Sequence, residues 1–136
     1  MCKNSLIYCG YEVGLNNTPL VLEMNTYWTK CKLQQDWTAV WRRDNGQKRW
    51  ITIPSGERFV SDGASVPKAF TWYAPKFGMW TPAAVVHDWL YHEHKWKRED
   101  ADKCFYDMML QLHVKPSKAW VMYKAVRMFG GLFYGS

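Results

Sequence analysis

Thr81-Pro82-Ala83-Ala84-Val85-Val86-His87-Asp88-Trp89-Leu90-Tyr91 is the stretch that decides the fold class. Thr can cap the free amides of a helix start, and Pro fits the first helical turn, where its missing N–H costs nothing. On a wheel of about 100° per residue, Ala83, Ala84, Leu90 and Tyr91 fall within about 60° of His87, so the imidazole sits in the apolar stripe. His94 lies nearly in line with it two turns on, and Asp88 lies at the stripe's edge. The helix is expected to run to His92 or Lys95. A second helix begins near Arg98 to Asp100, whose acidic residues suit a helix N-terminus, and runs to about His113. Lys115-Pro116-Ser117 stops it and opens a third, Lys118 to Phe129, ended by Gly130-Gly131.

Upstream the texture is different. Residues 1–19 carry Gly10, Gly14, Asn16-Asn17 and Pro19 and read as irregular, with a short strand around Leu6 to Tyr8. Short β-rich runs follow at Leu20 to Met24, Trp37 to Trp41, Trp50 to Ile53 and Arg58 to Val60. Asp44-Asn45-Gly46-Gln47 contains Asn-Gly, the dipeptide suited to the two positive φ angles of a type I′ hairpin turn. The expected architecture is α+β in a single domain of residues 1–136: an antiparallel β-meander in residues 20–62, then three packed helices in residues 81–131. Ser61-Asp62-Gly63-Ala64-Ser65-Val66-Pro67 joins the halves as a tight, ordered loop.

Composition bounds the function. Hydrophobic residues make up 48% and charged residues 22%, ordinary for a globular protein, whereas 17% aromatic residues is well above the usual level. The net charge of +6 suits an acidic partner, but the basic residues are scattered and no nucleic-acid motif accompanies them, so nucleic acid is not expected as one. Cys2, Cys9, Cys31 and Cys104 form no Cys-x-x-Cys pair, which argues against a thiolate zinc site and for free thiols in a reducing compartment. No apolar run approaches the length of a membrane span, and no signal peptide is read at the start. In the third helix Val121, Met122, Ala125, Val126, Met128 and Phe129 share one broad face, with Lys118, Lys124 and Arg127 opposite. That apolar face is assigned to the core, which makes membrane-surface contact the lesser reading of the helix.

His87 and Asp102 carry the chemistry. Asp102 follows His87 by fifteen residues and is flanked by Phe105, Tyr106 and Met109 on its own apolar face, where a carboxylate must be paired, neutralised or metal-bound. A His–Asp pair across two antiparallel helices holds the imidazole in one tautomer, ready to take a proton from water. If the turn is centred near residue 97, however, Asp102 is about 7 Å from it and His87 about 15 Å, at roughly 1.5 Å per residue. Tyr91 or His94 then faces Asp102 more squarely, and the His87 pairing needs the first helix to end early, near His92. A purely structural Asp102, hydrogen-bonded by Tyr91 or His87, stands beside the catalytic reading.

Two enzyme patterns resemble this stretch. Ala84 to Tyr91 followed by Ala101-Asp102-x-x-Phe105 looks like the active-site helices of phospholipase A2. The resemblance implies His87 as general base, Asp88 as a calcium ligand, and Tyr91 and Asp102 as the groups that orient the base. No Tyr-x-Gly-x-Gly loop precedes the helix, so Asp62-Gly63-Ala64-Ser65 would have to supply calcium oxygens, with Asp62 the carboxylate among them. His87-Asp88 also resembles the HD phosphohydrolases, which need a further metal-binding His upstream; no His precedes His87.

A whole-chain resemblance joins five motifs: Ile51-Thr52-Ile53-Pro54-Ser55-Gly56, Phe59-x-Ser61 to Pro67, Ala83-Ala84-x-x-His87-Asp88-x-Leu90-Tyr91, Ala101-Asp102-x-x-Phe105, and Tyr123-x-Ala125-Val126-Arg127-x-Phe129-Gly130. Together they are similar to a family of small bacteriophage and prophage proteins of unknown function. That resemblance implies a phage origin, a place in the host cytoplasm or the virion or its tail, and other virion proteins as partners. It also implies a polar cluster of Asp62, Ser65, His87, Asp88, Tyr91 and Asp102. Two functions follow as expectations: a virion- or tail-associated protein whose cluster is structural, or a calcium-dependent hydrolase of lipid or envelope substrates with His87 as base.

Overall fold

Alternation of apolar and polar side chains builds the first half of the protein. The computed structural model describes residues 7–10, 14, 18–24, 31–56, 59–61 and 80–130. Among the described residues six strands come first: β1 (Ile7–Gly10), β2 (Leu20–Met24), β3 (Cys31–Leu33), β4 (Trp37–Arg42), β5 (Lys48–Ile53) and β6 (Val60–Ser61). Leu20 and Leu22 of β2 and Cys31 and Leu33 of β3 are buried, while Val21, Glu23 and Lys32 between them are half-buried, the period-2 pattern of a sheet with one face on the core. Three helices follow: α1 (Thr81–Glu93), α2 (Arg98–Gln111) and α3 (Pro116–Phe129). The fold is α+β, as the sequence predicts.

All strand pairings are antiparallel, but they divide between two sheets. One has the order β1-β2-β3-β6 and the other is the β4–β5 pair, with Ala39 of β4 also bridged to Gly14. β3 was not expected, because three residues are too few for a periodic signal; it pairs with both β2 and β6 and so turns the chain's ends of this half into one sheet. The β4–β5 hairpin has its anticipated strands but a different turn. Gly46 N–H donates to Arg43 O at 3.0 Å and Arg43 N–H to Gln47 O at 2.8 Å, and Gly46 alone takes a positive φ of 87°. This is the longer loop in which a left-handed Gly follows a simple turn, rather than the two-residue type I′ turn. Asn45 keeps a negative φ and its side-chain oxygen accepts from Gln47 N–H at 3.0 Å.

The helices begin and end close to their expected limits. Trp80 rather than Thr81 is the N-cap of α1, with Thr81 and Pro82 already inside the first turn. At the other end His94 adopts a left-handed conformation (φ 58°) and donates its N–H to Leu90 O at 3.1 Å, so α1 stops at Glu93. α3 starts at Pro116, two residues before the expected position, because Pro116 occupies the first turn instead of preceding it. α2 packs against α1, α3 and β4, and α1 reaches β5 and β6. One contiguous core joins Leu20, Leu22, Trp37 and Ile53 of the strands to Val86, Phe105, Met108 and Met122 of the helices.

Candidate functional site

The early end of α1 decides which residues meet Asp102. Because the helix stops at Glu93 and leaves a four-residue connection, His87 and Tyr91, one turn apart on the same stripe, both face Asp102 on α2. His87 Nε2 lies 2.7 Å from Asp102 Oδ1, and the Tyr91 hydroxyl donates to the same oxygen at 2.5 Å. His94, the alternative partner, leaves the helix as its exposed cap. The two readings of Asp102's partner are therefore both realised, on one oxygen.

The second oxygen goes elsewhere. Arg127 of α3 donates from Nη1 to Asp102 Oδ2 at 2.8 Å, and Arg98, in the first turn of α2, donates from Nη2 to the Arg127 carbonyl at 2.9 Å. Arg127 was assigned to the polar side of α3. Its long stem instead runs back over the helix surface to bring the guanidinium to the core edge, where its side chain is 31% exposed. Gly130 completes the cluster: a Cβ there would collide with the Val126 carbonyl oxygen and the Tyr91 hydroxyl and crowd Arg98, so this glycine is a close-approach residue. Its φ of −59° is ordinary, so conformational freedom is not what requires it.

Burial and charge set the protonation of the group. Asp102 is 0% exposed and His87 2%. Burial alone pushes the Asp102 carboxyl up, but the hydrogen bonds from His87 and Tyr91, the electrostatic pull of His87 and the Arg127 bond outweigh it and hold the carboxyl below the ordinary range. Burial, followed by the bond to Asp102 and its charge, pushes the Tyr91 phenol far up, so Tyr91 remains a donor. The His87 ring packs against Tyr91 at 4.2 Å and Phe105 at 4.8 Å between centroids. With Asp102 ionised, Nε2 carries a proton and donates it to Oδ1.

Asp88 is half-buried on α1, beside this cluster in sequence but off its axis. Asp62 and Ser65, the remaining members of the expected cluster, lie outside the described residues. Among the described residues no three His, Cys, Asp or Glu side chains come together as a metal cage.

A second polar layer ties the β4–β5 hairpin to α2. Trp41 Nε1 donates to Asp107 Oδ2 at 2.9 Å, Lys103 donates to Asp107 Oδ1 at 2.7 Å and reaches Asp44 at 3.4 Å. Arg49 bonds Asp100 at 3.3 Å and stacks over Trp96 at 3.7 Å. A cleft of about 180 Å³ opens among Trp41, Asp44, Asp100, Lys103 and Asp107, with its charges already paired to one another. Neither it nor the clefts beside Trp50 and Trp120 is lined by His87, Tyr91 or Asp102. Cys31 and Cys104 are buried thiols.

No curated protein and no solved structure matches the chain. A family model described as "Protein of unknown function (DUF1353)" matches residues 33–126, a span that runs from β3 through the His87–Asp102 pair almost to Arg127. The chain therefore belongs to the DUF1353 family.

Proposed function

We propose that this chain is a bacteriophage-encoded, virion- or tail-associated protein that works by contact rather than by turnover, and that the Asp102 cluster is its three-helix lock. The burial of that cluster carries the reading. A base that takes a proton from a substrate or its water needs an open face, whereas His87 is only 2% exposed and Asp102, fully buried, spends its two oxygens on His87 and Tyr91 of α1 and Arg127 of α3. Fully satisfied buried networks of this kind fix the relation of the elements they join. The phage origin rests on the five-motif resemblance, and the exposed ring of Trp50 supplies contact surface.

A calcium-dependent hydrolase is the second reading, favoured by one observation. His87 bonds Asp102 through Nε2 at 2.7 Å, with Tyr91 on the same oxygen, the arrangement that the phospholipase-like pattern implies for a base and its two orienting groups. Residue roles there would be His87 as base through Nδ1, and Asp102 and Tyr91 as positioning residues.

Two measurements separate these readings. Mass spectrometry of purified particles of the encoding phage finds the chain if the first is right; its absence from the particles refutes that reading. Fatty-acid release from phospholipid vesicles with calcium, compared between the wild type and His87→Asn, decides the second. Release that a folded His87→Asn variant lacks overturns the contact reading, and a wild type without release removes the hydrolase.

A further inference from the structure

Helix α3 has two apolar stripes, and folding uses one. Ala119, Met122, Ala125 and Val126 are buried against the rest of the protein. Val121 and Met128, which the sequence places on that same face, are 37% and 72% exposed, and Trp120 beside them is 49% exposed. Ser117, Trp120, Val121, Lys124 and Met128 follow one another at helical spacing along the outer surface. The apolar face is thus not exhausted by the core.

The chemistry of this outer stripe is specific. Trp120 meets Tyr106 of α2 edge-on at 5.9 Å and Tyr123 at 5.7 Å, and Lys124 extends over the Trp120 ring at 5.2 Å. α3 carries Lys118, Lys124 and Arg127 and no Asp or Glu. Exposed Trp and Met with flanking Tyr and Lys, and no opposing carboxylate, is the side-chain set that settles at a headgroup layer, where aromatic rings take the apolar boundary and ammonium groups the phosphates. We propose that the outer face of α3 docks the protein on an anionic lipid surface.

Charge and shape select this occupant over others. A two-fold contact with a second copy would bring Lys124 against Lys124 with no carboxylate on the helix to answer either. The shallow cleft of about 240 Å³ at this face is lined by Trp120, Val121, Lys124, Ala125 and Met128, all from α3 alone. One helix makes a convex wall, which suits a planar surface; a peptide helix needs a groove with two walls. The proposal is independent of whether His87 is a base.

Vesicle flotation of the full chain tests it. The chain is expected to float with phosphatidylcholine vesicles that contain about a third phosphatidylglycerol, to float weakly with phosphatidylcholine alone, and to be released by high salt. Lys124→Gln is expected to weaken binding about fivefold. Val121→Asp with Met128→Asp is expected to abolish it while circular dichroism shows the wild-type melt, since both side chains lie outside the core. Absence of flotation with the anionic vesicles, or binding unchanged in the folded double variant, overturns the proposal. So does a failure to float accompanied by a dimer, or by retention on polyglutamate, that the double variant abolishes; these results would give the face to a second copy or to an acidic protein.

Discussion

Replacing Asp102 by Asn keeps the shape of the side chain and removes its charge, which makes it the sharpest test of the lock. Asp102 accepts three hydrogen bonds, two from the buried His87 and Tyr91 and one from Arg127, whose side chain is 31% exposed. A bond to a charged group is worth about 1.5–3 kcal/mol when buried. An amide with its oxygen at the Oδ1 position keeps the two bonds from α1 but without the charge that strengthens them, and it turns its NH2 toward the Arg127 guanidinium, so the third bond is lost; with Arg127 discounted for solvent, the cost is about 3–5 kcal/mol. That is a large part of the ~5–15 kcal/mol that holds a domain together. At about 2.1 cal/mol/K of unfolding entropy per residue, each kcal/mol moves the melting point of a chain this long by about 3–4 °C, so Asp102→Asn should melt about 10–18 °C lower at pH 7. The pH dependence gives a second check. Because the folded carboxyl lies below its ordinary range, its stabilisation is present above the unfolded value of about 3.9 and is lost as pH falls through the folded value. The gap between wild type and variant, followed by circular dichroism in urea, should therefore be widest near neutrality and close in acid. A variant that melts within about 2 °C of wild type at pH 7, or a gap that stays constant far below pH 4, would refute the reasoning.

Gly130→Ala places a methyl group against the Val126 carbonyl oxygen and the Tyr91 hydroxyl and should cost about 1–3 kcal/mol in urea denaturation, even though its φ is an ordinary one. Trp41→Phe retains most of the ring but deletes the bond to Asp107; an expected loss of about 1.5–3 kcal/mol would be read from the same assay, and an unchanged midpoint would mean that this bond does not hold the hairpin to α2. Cys104 is fully buried, and burial, aided by the charge of Asp107, pushes its thiol well up, so peptide mapping after iodoacetamide should find it unmodified in the native protein and alkylated in denaturant.

The helical half was legible because its signals are local. Thr81-Pro82 and Lys115-Pro116 mark starts within one turn, and a His and an Asp in the middle of apolar stripes announce a buried polar contact whatever the loop between them does. The strand half was legible in its elements but not in its pairing. β3 is three residues long, and its partners β2 and β6 are separated from it by chain that carries no pairing code, so the division into two sheets depends on contacts that a window of sequence does not contain. The sequence shows only part of what Arg127 and Gly130 do, for a different reason. A wheel records the direction of Cβ, and Arg127 reaches Asp102 with a side chain long enough to leave that direction; Gly130 sits where a helix-ending glycine is expected, which hides its role as space for Tyr91.

Arg127 gives the lock its own test. Asp102 divides its hydrogen bonds between His87 and Tyr91 of α1 and Arg127 of α3. In the lock, Arg127 is the only one of the three donors that α3 supplies, so Arg127→Met should loosen α3 and leave the His87–Tyr91–Asp102 contact between α1 and α2 intact. The Met side chain preserves much of the stem packing, so the loss is that of a half-exposed charged bond, about 1–2 kcal/mol, or about 5- to 30-fold in hydrogen-exchange protection. Amides of Ala119 to Phe129 should lose that protection while those of Val85 to Tyr91 keep theirs. Uniform loss over all three helices would mean that the bond acts on global stability alone, and no loss in α3 would mean that packing of Ala119, Met122 and Val126 holds the helix without it. A folded Arg127→Met variant with raised vesicle hydrolysis would reverse the assignment, because freeing Asp102 from Arg127 would then have returned its charge to the base.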